Sequence, residues 1–394
     1  MAKARKRKPA GAGPGDGFPG GVPEPTPAEE QPFDRYLKAA GAIEGWRPAA
    51  EVLDLVTSVR TVFPDFNRAV RVGGLPVRRI HTVHGPTHGG KTAFVLGLVK
   101  SFVDRGFLAG YVDAEHALGR EFAAELVTEL EHRPNFLAVR PDSYEQTIAR
   151  VDAFLGRAAE VRKTFPEAKA ILVVDSINKL VPERELEKLL KQGEITEKGA
   201  KELAKAHHGR YRAALNQAWL DQLTPKIARA DVALLLIAQE RDEEDTTDFF
   251  RDSFKVKGGA ALLFDASLVM RVMKATPIFL AGAEKKNDTI CGFAHRVRIW
   301  KSKVGHMDGR HTDAAFHLSN GRLIPAGLDT ARDAFKVGTE LGIVKSSESW
   351  FSYGGRRIQG QNKVIEWLHG NPARLASLLD EIGTALDRRA GRAP

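Results

Sequence analysis

The run Gly85-Pro86-Thr87-His88-Gly89-Gly90-Lys91-Thr92 fits the pattern G-x-x-x-x-G-K-[ST]. It follows an apolar, β-branched stretch (Ile80-His81-Thr82-Val83-His84) and opens a helical one (Ala93 to Val99). Strand, glycine loop and helix in that order let backbone N–H groups and a helix N-terminus surround a triphosphate. Lys91 would reach the β- and γ-phosphates, and the Thr92 hydroxyl would ligate Mg²⁺. Three further runs supply partners. Ile171-Leu172-Val173-Val174-Asp175-Ser176 is an apolar strand ending in a carboxylate, which places Asp175 to hold the metal's water shell beside Thr92. Tyr111-Val112-Asp113-Ala114-Glu115 carries two acids that alternate along a strand, so only one should face the nucleotide. Glu115 is the better candidate to orient and deprotonate an attacking water. Ala233-Leu234-Leu235-Leu236-Ile237-Ala238-Gln239 ends in an amide that would sense the γ-phosphate and pass its presence to the loop that follows. His81, His84 and His88 suggest zinc by spacing alone, but they straddle a strand and a phosphate loop and do not converge.

The elements that must position these groups are legible in outline. The chain has 394 residues, 43% of them hydrophobic, with no apolar run near the length of a membrane span. Its start leads from basic residues into Gly/Pro sequence, unlike a signal peptide. One cysteine, Cys291, rules out an internal disulfide and a cysteine metal cage and suits a reducing cytoplasm. A formal charge of +9 favours a polyanionic partner, nucleic acid first. Residues 1–32, with Lys3, Arg5, Lys6, Arg7 and Lys8 at their head, read as a disordered basic tail. Residues 33–70 read as an N-terminal helical segment. From 71 to 325, apolar β-rich runs alternate with helical ones: Ile80–Val83, Leu108–Val112, Phe136–Val139, Ala170–Val174 and Ala233–Ile237. That alternation predicts an α/β core with a mostly parallel sheet covered on both faces. Residues 326–394 read as a small α+β domain, with a hairpin at Trp350–Gly355 and a helix from Pro372 to about Arg388.

In order, Gly73-Gly74-Leu75-Pro76, the glycine loop, Asp113-Ala114-Glu115-His116-Ala117-Leu118, Val173-Val174-Asp175-Ser176, Gln239 and Gly258-Gly259 resemble the bacterial and phage RecA-type recombinases. Val297-Arg298-Ile299-Trp300-Lys301-Ser302-Lys303, Phe351-Ser352-Tyr353-Gly354-Gly355 and Trp367-Leu368-His369-Gly370-Asn371-Pro372 extend the likeness, which covers about residues 65–390. The resemblance implies a RecA-like P-loop ATPase core. By position it makes Glu115 the catalytic carboxylate and Gln239 the switch between ATP and DNA. It also puts Phe122 where an aromatic ring stacks on adenine. Lys301 and Lys303 match lysines that reach a neighbouring subunit's γ-phosphate. Phe264 matches an inter-subunit packing residue, and the Phe33–Ala40 stretch a polymerisation helix.

Two DNA loops are implied. The first, about 191–212, carries Lys198, Arg210 and Arg212. The second, 240–258, departs from the bacterial pattern: Asp242, Glu243, Glu244, Asp245 and Asp248 make its first half acidic. Arg251, Lys255 and Lys257 restore positive charge, and Phe249 and Phe250 would stack on bases. Arg356, Arg357, Lys363 and Arg374 suggest that the small domain captures duplex DNA. The expected protein is an ATP- and Mg²⁺-dependent recombinase. It would assemble as a helical filament on single-stranded DNA, pair with double-stranded DNA and exchange strands, with no membrane partner. Two readings stay open beside it: a hexameric DNA helicase with the same core, and a DNA-binding regulator that uses ATP only as an assembly switch.

Overall fold

The computed structural model describes residues 56–177, 181–183, 208–242, 254–256, 261–305 and 311–391. The tail expected over 1–32 and residues 33–55 of the helical segment expected over 33–70 lie outside the described residues; the rest of that segment holds a short strand, Ser58–Val59, before a helix at Pro64–Ala69. In chain order the strands are β1 (Ser58–Val59), β2 (Leu75–Pro76), β3 (Arg79–Gly85), β4 (Leu108–Asp113) and β5 (Phe136–Val139). They continue with β6 (Ala170–Asp175), β7 (Val232–Asp242), β8 (Phe254–Val256), β9 (Leu268–Phe279) and β10 (Ile290–Ser302). The last are β11 (Thr312–Ser319), β12 (Gly327–Leu328), β13 (Lys345–Ser347), β14 (Trp350–Tyr353) and β15 (Arg356–Gln359). The helices are α1 (Pro64–Ala69), α2 (Lys91–Val103), α3 (Arg120–Leu126), α4 (Tyr144–Thr164), α5 (His208–Ala230) and α6 (Ala261–Phe264). The small domain adds α7 (Thr330–Glu340), α8 (Gln361–His369) and α9 (Pro372–Arg389).

One sheet runs β12-β11-β10-β9-β3-β7-β6-β4-β5, with β8 paired to β7. From β9 to β5 every pair is parallel. The two faces of this parallel region bury separate cores. On β7, Ala233, Leu235 and Ile237 enter one cluster with Phe63, Phe66, Phe94 and Phe316, and Leu234, Leu236 and Ala238 enter another with Val151, Leu155, Trp219 and Leu223. The period-2 side-chain rule acting on wholly apolar strands produces this two-sided burial. Helix α2 fills the first face, and α4 and α5 contribute to the second. Ser143 caps α4, its hydroxyl oxygen accepting from the Gln146 N–H at 3.1 Å.

The wing β9-β10-β11-β12 is antiparallel. The expected mostly parallel sheet holds, and this wing adds to it because a connection of only about ten residues joins β9 to β10, too short for a parallel crossover. Along β10, Val297 and Ile299 are buried between more exposed Arg296 and Arg298, the alternation of a strand with one covered face.

A third cluster is built from Ala334, Val337, Val364, Ile365, Leu368, Leu378 and Ile382, beside the antiparallel sheet β13-β14-β15. The expected hairpin is β14–β15. Gly354 (φ 54°) and Gly355 (φ 74°) both take left-handed backbone at its turn, as a two-residue turn matched to strand twist requires. The expected C-terminal helix is α9, opened by Pro372 and capped by Asn371, whose Oδ1 accepts from the Arg374 N–H at 3.0 Å.

Two expectations are corrected. The second DNA loop does not begin at Glu240: β7 continues to Asp242, and Glu240, Arg241 and Asp242 pair with Val256, Lys255 and Phe254. The ends of the expected loop therefore form a two-stranded stem. The first loop does not run to Arg212, since α5 begins at His208 and takes in both Arg210 and Arg212. The buried stripe Asn216, Trp219, Leu220, Leu223 and Ile227 gives α5 a helical register that extends back through this charged start.

Candidate nucleotide and DNA site

The glycine loop turns where two of its glycines have no room for a side chain. A Cβ on Gly85 would come within 2.1 Å of the Val272 carbonyl oxygen, and one on Gly90 within 2.5 Å of His295 Nδ1. Gly90 also has φ 92°, a left-handed conformation that non-glycine residues rarely take. The loop thus lies directly on β9 and β10. The His295 ring, stacked on Phe316 at 4.8 Å between centroids, donates from Nδ1 to the Gly89 carbonyl at 3.0 Å. Burial holds its pKa down, against the pull of that carbonyl. His295 is a neutral prop beneath the loop. No sequence signal pointed to it, because 206 residues separate it from Gly89.

Thr87 and His88 are exposed at the loop's tip and Gly89 is buried. Helix α2 opens at Lys91 with no side-chain cap, which leaves its first N–H groups for a phosphate. The Lys91 ammonium donates to the Gly85 and Pro86 carbonyls at 3.0 and 2.8 Å. Burial lowers its pKa, and the charges of Asp175, Glu240 and Glu115 act in the opposite direction.

Parallel pairing gathers the remaining groups at one sheet edge. Gly85 stands opposite Gln239, and Asp113 opposite Asp175. Asp175 Oδ2 accepts from the Tyr111 hydroxyl at 2.5 Å. Its pKa is raised to about 6, chiefly by burial; the Tyr111 hydrogen bond opposes this, and the nearby Glu115 and Asp113 charges add to it. The peptide bond between Asp175 and Ser176 is cis.

The two acids do not alternate along one strand as expected, because β4 ends at Asp113 and Glu115 lies on the turn that follows. Asp113 is buried: Oδ1 accepts from the Ala117 N–H at 3.0 Å, and Oδ2 from the Leu118 N–H at 3.2 Å and Arg140 Nε at 2.9 Å. It ties down the 114–118 turn. Glu115, on that turn, is half-buried, and its Oε1 accepts from Ser176 Oγ at 2.5 Å and Gln239 Nε2 at 2.8 Å. Glu115, Gln239 and Asp175 are therefore linked through side chains or chain neighbours, beside Lys91. Tyr111 and Ser176 were quoted in the strand runs but given no role there. Their contacts depend on how β4 and β6 are aligned.

Phe122, on α3, is 46% exposed. The ring is therefore not part of the core. Lys301 and Lys303 are not drawn to Lys91. Lys301 Nζ donates to the Leu263 and Phe264 carbonyls at 2.6 and 2.7 Å, and Lys303 Nζ to Phe264 at 2.7 Å. Beside them Phe264 is 72% exposed. Burial and the neighbouring Lys303 charge lower the Lys301 pKa. Among the expected DNA contacts, Lys198, Phe249, Phe250, Arg251 and Lys257 lie outside the described residues, Arg210 and Arg212 lie in α5, and Lys255 in β8. In the small domain Arg374 stacks 3.8 Å from the Trp367 ring centre, with Arg356 at 5.7 Å, and Arg357 lies 4.8 Å from Trp350. Among the described residues no group of His, Cys, Asp or Glu could by itself hold a metal ion, and no helix is long and apolar enough to cross a membrane.

Comparison with known proteins agrees with this geometry. The family model for the RecA N-terminal domain matches residues 50–316, and that for the RecA C-terminal domain residues 333–387. Protein RecA of Thermus thermophilus is 32% identical over 324 residues, 82% of this chain and 82% of its own. Protein RecA of Sinorhizobium medicae is 31% identical over 326 residues, 82% of this chain and 77% of its own. Protein RecA of Syntrophus aciditrophicus is 29% identical over 337 residues, covering 85% and 86%. This chain belongs to the RecA family and is an ATP-binding, DNA-dependent ATPase of DNA recombination and repair.

Proposed function

We propose that ATP is hydrolysed at the edge formed by the Gly85–Thr92 loop, Asp175, Glu115 and Gln239. Glu115 orients a water and takes its proton as the water oxygen attacks the γ-phosphorus and the bond to the β–γ bridging oxygen breaks. Gln239 registers the γ-phosphate through its amide, which now rests on Glu115. The observation that carries this reading is the shared Glu115 Oε1, which accepts from both Ser176 and Gln239 next to the Lys91 cradle. Lys91 and the free N–H groups at the start of α2 hold the phosphates. Phe122 stacks on the base.

The donor set suits Mg²⁺: a hydroxyl on Thr92 and a carboxylate on Asp175 are hard oxygen ligands. The Asp175 carboxyl, raised to about 6 by burial and acidic neighbours, sits where added positive charge is favourable. When bound, Mg²⁺ would offset charge on the transferring phosphate.

The chain assembles as a helical filament on single-stranded DNA, captures double-stranded DNA and exchanges strands, in the cytoplasm. Lys301 and Lys303 act in trans on a neighbour's phosphate, in keeping with their position beside exposed Phe264. Lys198, Arg210, Arg212, Phe249, Phe250, Arg251, Lys255 and Lys257 contact DNA, and the small domain begins near residue 326. The nucleotide switch is tested by fluorescence anisotropy on a labelled single strand, with and without a non-hydrolysable ATP analogue. Wild type should bind more tightly with the analogue, whereas Gln239→Ala should keep analogue binding and lose that tightening. Full tightening in Gln239→Ala would remove Gln239 from the switch.

A further inference from the structure

His84 and Glu240 stand near the C-terminal ends of β3 and β7, and Arg271 lies within the neighbouring β9; no part in catalysis was legible for any of them in the sequence. His84 pairs in register with Ala238 of β7 on one side and Arg271 of β9 on the other. Glu240 Oε1 accepts from His84 Nδ1 at 2.7 Å and from Arg271 Nε at 2.8 Å, and Oε2 accepts from Arg271 Nη2 at 3.0 Å. The His84 and Glu240 side chains are 1% and 4% exposed. Burial pushes the Glu240 carboxyl up, but hydrogen bonds from His84 and Arg271 outweigh it and hold the carboxyl below its ordinary value.

The position of this clamp gives it meaning. On β7, Ile237 belongs to the core cluster that contains α2, and Ala238 to the opposite one. Alternation therefore sends Gln239 toward the nucleotide face, where it meets Glu115, and Glu240 toward the reverse face. The backbone ladder thins at the same point. Pairing of β7 with β6 ends at Leu236 and with β3 at Gln239; from Glu240 onward the described partner is β8. Beyond Gln239, the Glu240 side chain ties β7 back to β3 and β9.

We propose that Glu240 is a positioning residue for ATP hydrolysis, anchored by Arg271 and His84 so that the end of β7 holds the Gln239 amide on Glu115 and couples it to the β7–β8 stem. The inference rests on the roles proposed above for Glu115 and Gln239. Loss of the clamp leaves the Gly85–Thr92 cradle intact but lets Gln239 and Glu115 drift. Ångström-scale misplacement of such groups costs on the order of 10- to 100-fold in turnover.

Removing one charge leaves its partner buried and unpaired, which destabilises the fold whatever the role in catalysis. The test therefore uses Glu240→Gln with Arg271→Met, which removes both charges and leaves an amide oxygen for His84. A second variant, Arg271→Lys, keeps the charge and loses the two-pronged contact. DNA-stimulated ATPase is measured with single-stranded DNA in excess, alongside the stoichiometry of ATP-analogue binding. The double variant should bind one analogue per chain with KM within about twofold of wild type, while kcat falls about tenfold or more. Arg271→Lys should fall between the two. Placed in a Glu115→Gln background, the double change should cost little further, because it acts through the same contact. Wild-type kcat per bound nucleotide in either folded variant overturns the inference while leaving the site intact. Wild-type kcat in Glu115→Gln instead overturns the site reading on which it rests. A fall in kcat together with a rise in KM, in step with lost analogue stoichiometry, means a structural role only and also overturns it.

Discussion

Asp113 and Glu115 are two residues apart, yet they sit in different surroundings, and the roles proposed for them differ measurably. In Asp113→Asn the side chain keeps one acceptor oxygen for the Ala117 and Leu118 N–H groups and turns an amide toward the other, beside Arg140. A buried N–H that loses its partner costs about 1–3 kcal/mol. The Arg140 ion pair adds at most ~1 kcal/mol, because the Arg140 side chain is 53% exposed. The sum, about 1–4 kcal/mol, lowers the melting midpoint by roughly 3–12 °C for a domain of this size. Turnover falls only as far as the 114–118 turn loosens. Glu115→Gln is the mirror case. Its oxygen still accepts from Ser176, the site is half-buried, and the midpoint should stay within about 2 °C of wild type. Losing the general base lowers kcat by about 10²–10⁴. The pair is read by differential scanning fluorimetry and DNA-stimulated ATPase at saturating ATP. A normal midpoint with lost turnover in Asp113→Asn, or the converse in Glu115→Gln, would refute the assignment.

Phe122→Ala should raise the KM for ATP about fivefold or more at an unchanged midpoint, since stacking on a base contributes about 1–3 kcal/mol and the ring is already half-exposed; an unchanged KM removes it from the base site. If Lys301 acts in trans, Lys301→Ala and Glu115→Gln are each inactive alone, but mixing them restores roughly a quarter of wild-type ATPase, because one head-to-tail junction in four combines both intact residues. Failure of the mixture, with both variants still assembling, places Lys301 in its own subunit's chemistry or outside the reaction. Burial holds the His81 pKa at about 4, below its ordinary 6.5, so the unfolded chain takes up the proton first and this contribution to stability is lost as pH falls from 6.5 toward 4. Its full size is on the order of 3 kcal/mol. Asp175, raised to about 6, runs the other way, losing stability as pH rises. The comparison is therefore with His81→Gln, whose urea midpoint should draw closer to wild type as pH falls; a constant gap contradicts a neutral buried His81.

Strands β4, β6 and β7 were legible because each is a mostly apolar run, the composition of a strand buried on both faces. The glycine loop, Asp175, Glu115 and Gln239 stood out because each lies at or near the C-terminal end of a parallel strand, where such a sheet exposes its crevice. What stayed hidden depends on alignment across the sheet. His295 props the loop from β10, and nothing near it in sequence marks the role. Glu240 read as the first residue of the second DNA loop, whereas it is the buried partner of Arg271 and His84. The β7–β8 stem was read as loop because Arg241 and Asp242 are polar and their pairing partner lies about a dozen residues on. Phe122 was ambiguous for a simpler reason: a phenylalanine in a helix reads the same buried or exposed, and only its 46% exposure decides.

Strand exchange followed by fluorescence, with ATP and Mg²⁺ present and homologous single strands compared with unrelated ones of equal length, tests recombinase activity most directly. Displacement of the labelled duplex strand by the homologous DNA alone, lost in Lys91→Ala and strongly salt-dependent, is the predicted result. Displacement by either strand would mean unwinding without homology. None at all, despite ATP-dependent DNA binding, would mean a nucleotide-switched DNA-binding protein; either result would contradict the recombinase assignment.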